Sequence, residues 1–412
     1  MCKHTDFSCH RQLFLNKNRY VQYAQSMKFS QPATARTVNR LRVLNLLDAY
    51  PSLSRSDIAR MLALNKPSTS EIVEQLLGEQ LVEEQGKTVQ RNGRRPTMVA
   101  LKHDARLVLG VDLGTRTASF SLSDLKGNLL RFERLPTPRQ PDAKEFGQLV
   151  IKTCMKLTRI SSIPIAGIIV SCGGTISEDG NTILNHEYWG WKDVPLAKAI
   201  EMHTKLPTRL VNHVKAMVQA ERWFGNETTK TFFYVNWGEH ISSAWVHANT
   251  ISCERTRFGH LPIAPTGLCR CGGIGCLETI AAGWALSEKH QGLSVKQLQQ
   301  LNDDAVVKSL SLACQAMAMA LIAASAVTGC EKIILGGGIA NLDDRYLQLI
   351  QDFYREHAHH ALAEIPLVRS QLKDRSSVLG SVASALDHWV FHRSILETMQ
   401  GLDQEKPLLE TE

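Results

Sequence analysis

The residues best suited to chemistry lie in the stretch RFGHLPIAPTGLCRCGGIGCLE, where His260 is followed by Cys269, Cys271 and Cys276. Three thiols and one imidazole complete a tetrahedral set for a structural Zn2+ ion, with no open position for water. Gly272, Gly273 and Gly275 let the loop curl so that thiolates close in sequence converge on one point. The C-x-C-x4-C spacing is not that of the common finger, so buried free thiols in a Gly-rich loop stay open as the other reading. Closed coordination argues against metal-assisted hydrolysis at this place.

A second group is polar and cationic. Lys66, Ser68, Thr69 and Ser70 cluster at the start of one predicted helix, and Arg91, Arg94 and Arg95 crowd one predicted turn. Small polar side chains at a helix start meet base edges or phosphates, and an Arg-rich loop enters a narrow minor groove. The flanking sequence supplies the elements that must present them. Val38, Leu41, Leu44 and Leu47 recur at helical spacing until Pro51 ends the pattern. Ser54 caps the next helix, with Asp57 completing a variant capping box. After a break at Asn65–Lys66, Pro67 or Ser68 opens a third helix that buries Ile72, Leu76 and Leu77 and stops near Gly78. LVEEQGKTVQ and RNGRRPTMVALK then read as two strands around a Gly-containing turn. Three helices followed by a basic hairpin is the winged helix-turn-helix arrangement. A solvent-exposed hairpin or a protein-docking module is the alternative.

Charge favours the DNA reading. The chain has 412 residues and a formal net charge of +7. Residues 1–100 hold 15 basic and 8 acidic side chains, so the whole excess sits in the first quarter. That distribution predicts a cationic module on a neutral body. The segment NRYVQYAQSMKF predicts a helical arm within residues 1–36, with Tyr20, Tyr23 and Met27 along one side. Hydrophobic residues at 43% and charged residues at 21% exclude a mainly disordered or fibrous chain. No apolar run reaches about 18 residues and no secretory signal opens the chain, which predicts no membrane insertion. Ten cysteines in a chain of this length are too few for a disulfide framework and predict a reducing, cytoplasmic compartment.

From residue 107 the pattern changes to LVLGVDLGTRTASFSLSDLKGNLLRFERLP, a strand, tight turn, strand, second turn and third strand. TKTFFYVNWGEHISSAWVHANTISC repeats that opening. The repetition predicts two related lobes meeting at a cleft, over 106–227 and 228–412, behind a DNA-binding domain over 37–105. The C-terminal helices are expected to pack back on the first lobe. The apolar strand IAGIIVS, the Ala-rich helix SLACQAMAMALIAASAVTG and the strand-turn KIILGGGIA make the body α/β.

Taken together, these motifs resemble the ROK family of bacterial sugar kinases and transcriptional repressors. The resemblance spans residues 38–390 and rests on GRRP in the wing, DLGT, NHVKAMVQAERWFG, GH followed by CxCGxxGCLE, and the GGG turn. It implies a two-lobed, actin-like (ribonuclease-H-like) α/β body with structural zinc beside a sugar pocket, assembled as a homodimer or a dimer of dimers. Repressors of the family add an N-terminal DNA-binding module, and two copies read the halves of a palindromic operator in double-stranded DNA.

Departures from the kinase pattern fall on the chemistry. Kinase relatives carry Asn-Asp, with Asp removing the proton from the sugar hydroxyl, where this chain has Asn212-His213. Their Glu-x-Gly-His is Arg257-Phe258-Gly259-His260 here. The first phosphate loop, Asp112-Leu113-Gly114-Thr115-Arg116-Thr117, moves the basic residue. The second, Asn236-Trp237-Gly238-Glu239-His240, is expected to put an indole and an acid where phosphates approach. The expectation is a non-catalytic repressor of sugar-related genes, cytoplasmic and nucleoid-associated when bound to DNA. Its alternatives are an ATP-dependent sugar kinase with an atypical active site and a protein-docking regulator. Asn212, His260 and Glu278 remain at the family's pocket positions, while His213 and Arg257 suit an acidic sugar or sugar phosphate. A regulatory protein in place of a free sugar is a further option.

Overall fold

The structure, a computed structural model, describes residues 32–87, 96–248, 250–253, 256–301 and 303–396. The expected N-terminal arm and the wing residues Arg91, Arg94 and Arg95 lie outside these residues.

Helix α1 (Pro32–Ala49) ends just before Pro51. Its second half is buried all round, including Asn45 and Asp48, because one side packs on the N-terminal unit and the other on the C-terminal segment. Strand β1 (Leu53–Ser54) leads into α2 (Arg55–Leu62). The Ser54 hydroxyl accepts from the Asp57 N–H at 3.1 Å and donates to the Asp57 carboxylate at 2.6 Å. Helix α3 (Lys66–Gly78) starts earlier than expected, since Asn65 supplies its cap by accepting from the Ser68 N–H at 2.8 Å. Strands β2 (Val82–Lys87) and β3 (Thr97–Leu101) pair antiparallel, and β1 adds to the other edge of β3.

The body repeats one topology. Strands β4 (Leu107–Leu113), β5 (Thr117–Asp124) and β6 (Leu129–Pro136) run antiparallel. Helix α4 (Ala143–Arg159) precedes β7 (Ile165–Cys172), which lies parallel to β4. A small sheet follows, made of β8 (Thr175–Ile176), β9 (Ile183–His186) and β10 (Trp191–Val194). After α5 (Leu196–Thr204), β11 (Thr208–Asn212) completes the order β11-β7-β4-β5-β6. Helix α6 (His213–Trp223) then leads to β12 (Phe232–Trp237), β13 (Ile241–His247) and β14 (Thr250–Ser252).

Three short helices come next: α7 (Glu278–Ala281), α8 (Gly283–Lys289) and α9 (Val295–Leu298). The long α10 (Asp304–Thr328), β15 (Ile333–Gly336), α11 (Asp344–His357) and β16 (Leu367–Arg369) complete a second sheet ordered β14-β13-β12-β15-β16. In both sheets the first strand is central, with two antiparallel strands on one side and two parallel strands on the other. Shared topology places the first turn of each sheet at equivalent positions.

Helix α12 (Ser376–Leu386) returns to the first sheet. Its backbone passes so close to β4 that a Cβ at Gly110 would lie 2.8 Å from the Val382 nitrogen, so that strand position needs glycine. Among the described residues, α10 is long and apolar enough to cross a membrane, yet Ala313, Cys314, Met317 and Leu321 bury its inner face in the second core.

Candidate functional site

His260, Cys269, Cys271 and Cys276 come together as the sequence predicts. Their ligand atoms all lie within 4.8 Å of one another. Cys269 Sγ is 3.7 Å from His260 Nδ1, and Cys271 Sγ is 3.8 Å from Cys276 Sγ. A tetrahedral thiolate–imidazole set needs ligand atoms roughly 3.5–3.8 Å apart, so the donors fit a metal ion. Two isolated bridges, Pro262 with Cys276 and Leu268 with Ile274, fold the loop onto itself. Gly275 has φ +69°, and a Cβ there would lie 1.7 Å from the Ala264 carbonyl oxygen. No other residue lets this turn close. Burial pushes the Cys269 thiol up to about 12, while the Gly273 N–H and the neighbouring thiols hold Cys271 below its ordinary value.

On the N-terminal unit, Lys66 is exposed at the start of α3, with Ser68 and Ser70 half-buried beside it. Thr69 is a correction. It is fully buried and its hydroxyl donates to the Asn65 carbonyl at 3.0 Å, so it cannot reach a nucleic acid. Glu71 and Glu74 on α3 and Glu79 just after it are each matched by an arginine. Glu71 pairs with Arg36 at 2.7 Å, Glu74 with Arg55 at 2.7 Å, and Glu79 with Arg40. These pairs offset the negative charge of Glu71, Glu74 and Glu79.

Between the two large sheets lies a cleft of about 1240 Å³. Asn212, His213, Arg257, His260 and Glu278 all line it, as the sequence predicts. His260 therefore serves two sites, with Nδ1 in the metal cluster and the ring forming part of the cleft wall. Asn212 caps α6 by accepting from the Val214 N–H at 3.0 Å, which fixes His213 at the helix start. Burial pushes His213 down to about 4. Glu278 is buried and accepts from the Ile241 N–H at 2.7 Å, Trp284 Nε1 at 3.1 Å and His240 Nδ1 at 3.3 Å. The carboxyl is held below its usual range: these donors outweigh the desolvation that would raise it.

The two first turns face each other across this cleft. Arg116, after β4, meets Glu239, after β12, at 2.6 Å. Asp112 at the end of β4 is buried, accepts from the Ser171 hydroxyl at 2.8 Å, and is pushed up to about 6 by desolvation. Trp237 departs from expectation. Its ring is 2% exposed and its Nε1 donates to the Ala281 carbonyl at 2.7 Å, so the indole fills the second core instead of the cleft. Sequence reasoning assigned no role to His186 and missed the Arg116–Glu239 contact. His186 reaches the cleft only because β9 folds back on β8, and no local periodicity announces that.

Comparison with known proteins covers both parts of the chain. The ROK family profile matches residues 108–388. The xylose repressor of Caldicellulosiruptor bescii is 24% identical over 382 residues, covering 85% of this chain and 95% of its own. The DNA-binding transcriptional dual regulator NagC of Escherichia coli is 25% identical over 378 residues, covering 83% of this chain and 90% of its own. The crystal structure of a ROK family transcriptional regulator, a homologue of the E. coli Mlc protein, superposes with a TM-score of 0.75 at 18% identity. That superposition covers 90% of this chain and 98% of the other. With a family match over most of its length and the site residues assembled around one cleft, this chain belongs to the ROK family.

Proposed function

We propose that the protein is a sugar-responsive, DNA-binding transcriptional repressor without catalytic turnover. One observation carries this reading: the relatives that align with both the N-terminal unit and the body are a xylose repressor and a DNA-binding transcriptional dual regulator. In this reading residues 37–105 form a winged helix-turn-helix. Lys66, Ser68 and Ser70 at the start of α3 face the major groove, and Arg91, Arg94 and Arg95 reach phosphates or the minor groove. Residues 106–227 and 228–412 form actin-like lobes around an effector cleft for a sugar or sugar derivative. His260, Cys269, Cys271 and Cys276 hold a structural Zn2+ that fixes one wall of the cleft. A homodimer carries two DNA-binding modules, and effector binding changes their relative placement on a palindromic operator.

The non-catalytic reading is supported by His213 at the family's base position and by Glu239, whose carboxylate repels a phosphate chain from the second turn. Operator selection from a random duplex pool with the full chain tests the function. Recovery of a palindrome is expected, and Arg94→Ala with Arg95→Ala should reduce the slope of log affinity against log salt by about 2. A pool that stays random after selection sinks the DNA reading.

A further inference from the structure

The two sides of the cleft touch at the metal loop, through side chains that the metal chemistry does not use. Arg270 is flanked by two of the four cluster residues, Cys269 and Cys271. It occupies the first central position of a tight turn in which the Gly272 N–H donates to the Cys269 carbonyl at 2.9 Å. The Cys269 N–H donates in turn to the Gly273 carbonyl at 2.8 Å, so the backbone under Arg270 is held from both sides. The guanidinium lies 4.4 Å from the ring centroid of Trp284 and donates to Glu288 at 2.5 Å, both on α8 of the same side. It then reaches across the cleft. Arg270 Nη1 donates to the Tyr188 hydroxyl at 3.3 Å, and the Tyr188 ring centroid lies 5.6 Å from the guanidinium.

Tyr188 stands on a turn between β9 and β10 that is equally well held. The Trp189 and Gly190 N–H groups donate to the His186 carbonyl at 3.1 and 2.9 Å, and the buried Trp189 ring stacks on His186 at 4.1 Å. The Tyr188 ring also packs edge-to-face on His240, across the cleft, at 4.2 Å. A second crossing lies beside it, where Arg139 approaches Glu288 at 3.7 Å. Two braced turns, one from each side, therefore meet through side chains alone.

We propose that Arg270 and Tyr188 form a clasp that holds the cleft closed and parts to admit a ligand. Magnitudes favour a gate over a permanent joint. The side chains of Arg270, Glu288 and Arg139 are 28%, 54% and 78% exposed, so solvent screens their charges. One cation–π contact and one hydrogen bond between part-exposed groups shift a closing equilibrium by only about tenfold. Trp284 and Glu288 keep the guanidinium in place when Tyr188 withdraws, so the clasp recloses without rearrangement on the Arg270 side. The clasp acts on closure whatever the cleft binds, and it depends on neither the DNA reading nor the sugar reading.

Hydrogen–deuterium exchange of the full chain without added ligand tests it, read on the side of the cleft that does not carry the substitution. Arg270→Ala should speed exchange at residues 188–190 by about tenfold, with zinc content equal to that of the wild type. Tyr188→Ala lies outside the metal loop and should speed exchange by a similar factor at residues 238–241 and 283–284. In the Tyr188→Ala background, Arg270→Ala should add less than about twofold, because the two residues are halves of one contact. If Arg270→Ala loses its zinc, Tyr188→Ala alone decides. Unchanged exchange across the cleft in Tyr188→Ala, or single effects that multiply in the double variant, overturns the clasp.

Discussion

Arg393, beside the end of the described chain, forms an ion pair with Asp48 in the last turn of α1. The two lie 345 residues apart, and the Asp48 side chain is fully buried. Arg393 Nε also donates to Asn45 Oδ1 at 2.8 Å, and the guanidinium lies 3.8 Å from the ring centroid of Trp223 at the end of α6. Asn45 Nδ2 donates to the Phe391 carbonyl at 2.7 Å. One helix thus runs from the cleft, at His213, to the guanidinium that holds α1. Removing one partner of a buried ion pair leaves the other charge uncompensated, which costs about 3 kcal/mol or more. Arg393→Ala should therefore lower stability by about that amount in urea unfolding. A change below about 0.5 kcal/mol would show that the pair does not hold the N-terminal unit to the body.

Across the cleft, Arg116 and Glu239 form a pair of another kind. Their side chains are 59% and 20% exposed, so the contact contributes about 1 kcal/mol or less. Glu239→Ala should leave the unfolding midpoint nearly unchanged. In the proposed non-catalytic reading its consequence is electrostatic, because Glu239 would stand where the second turn meets a phosphate chain. Wild-type protein should show no sugar-dependent ATP consumption over a hexose panel in a coupled assay, and His213→Asp alone should not restore it. Turnover by either protein above the no-enzyme rate would return the kinase reading.

Much of this was legible in the sequence, and the gaps have physical causes. The strand–turn–strand opening at residue 107 recurs in the second lobe, and both copies form the same sheet order because the same local pattern is written twice. The metal loop was legible because its ligands are close in sequence. Polarity alone puts Thr69 on the surface, but it stands three residues before Ile72 and seven before Leu76, on the buried stripe of α3. Strand alternation decides where Trp237 points. Along β12, Phe233, Val235 and Trp237 share one core, and Asn236 points the other way toward His213. The Arg393–Asp48 pair, the Arg116–Glu239 pair and the approach of His186 to His213 are tertiary encounters, and no spacing rule reaches them.

Glu221 on α6 supplies a pH test of the packing between α6 and the C-terminal region. It is 2% exposed, accepts from the Ser370 hydroxyl, and is pushed up by burial to about 7 from an ordinary 4.5. Between those values the folded chain keeps a proton that the unfolded chain has released, so this group's contribution to stability falls as pH rises. His186 and His213 act with the opposite sign, since their lowered values make stability rise from about pH 4 to 6.5. The difference between wild type and Glu221→Gln isolates the carboxyl. The variant should gain about 3 kcal/mol relative to wild type between pH 4.5 and 8. Parallel stability curves would mean that Glu221 ionises normally.

The metal loop gives the last prediction. His260 belongs to the cluster and to the cleft wall, so loss of the ion should be felt in the cleft as well as in stability. Cys269→Ser removes one thiolate of four ligands and leaves Cys271 and Cys276 without a closed set. Zinc content by atomic emission should fall well below one per chain, and the unfolding midpoint should drop by about 5 °C or more. Because thiolates must form for the ion to bind, zinc retention by the wild type should weaken as pH is lowered. DNA binding should decline only as far as the body loosens, since none of the four ligands lies near α3. A variant that keeps full zinc occupancy would show that Cys269 is not a ligand, and unchanged stability after chelation would show that the ion does not hold the loop.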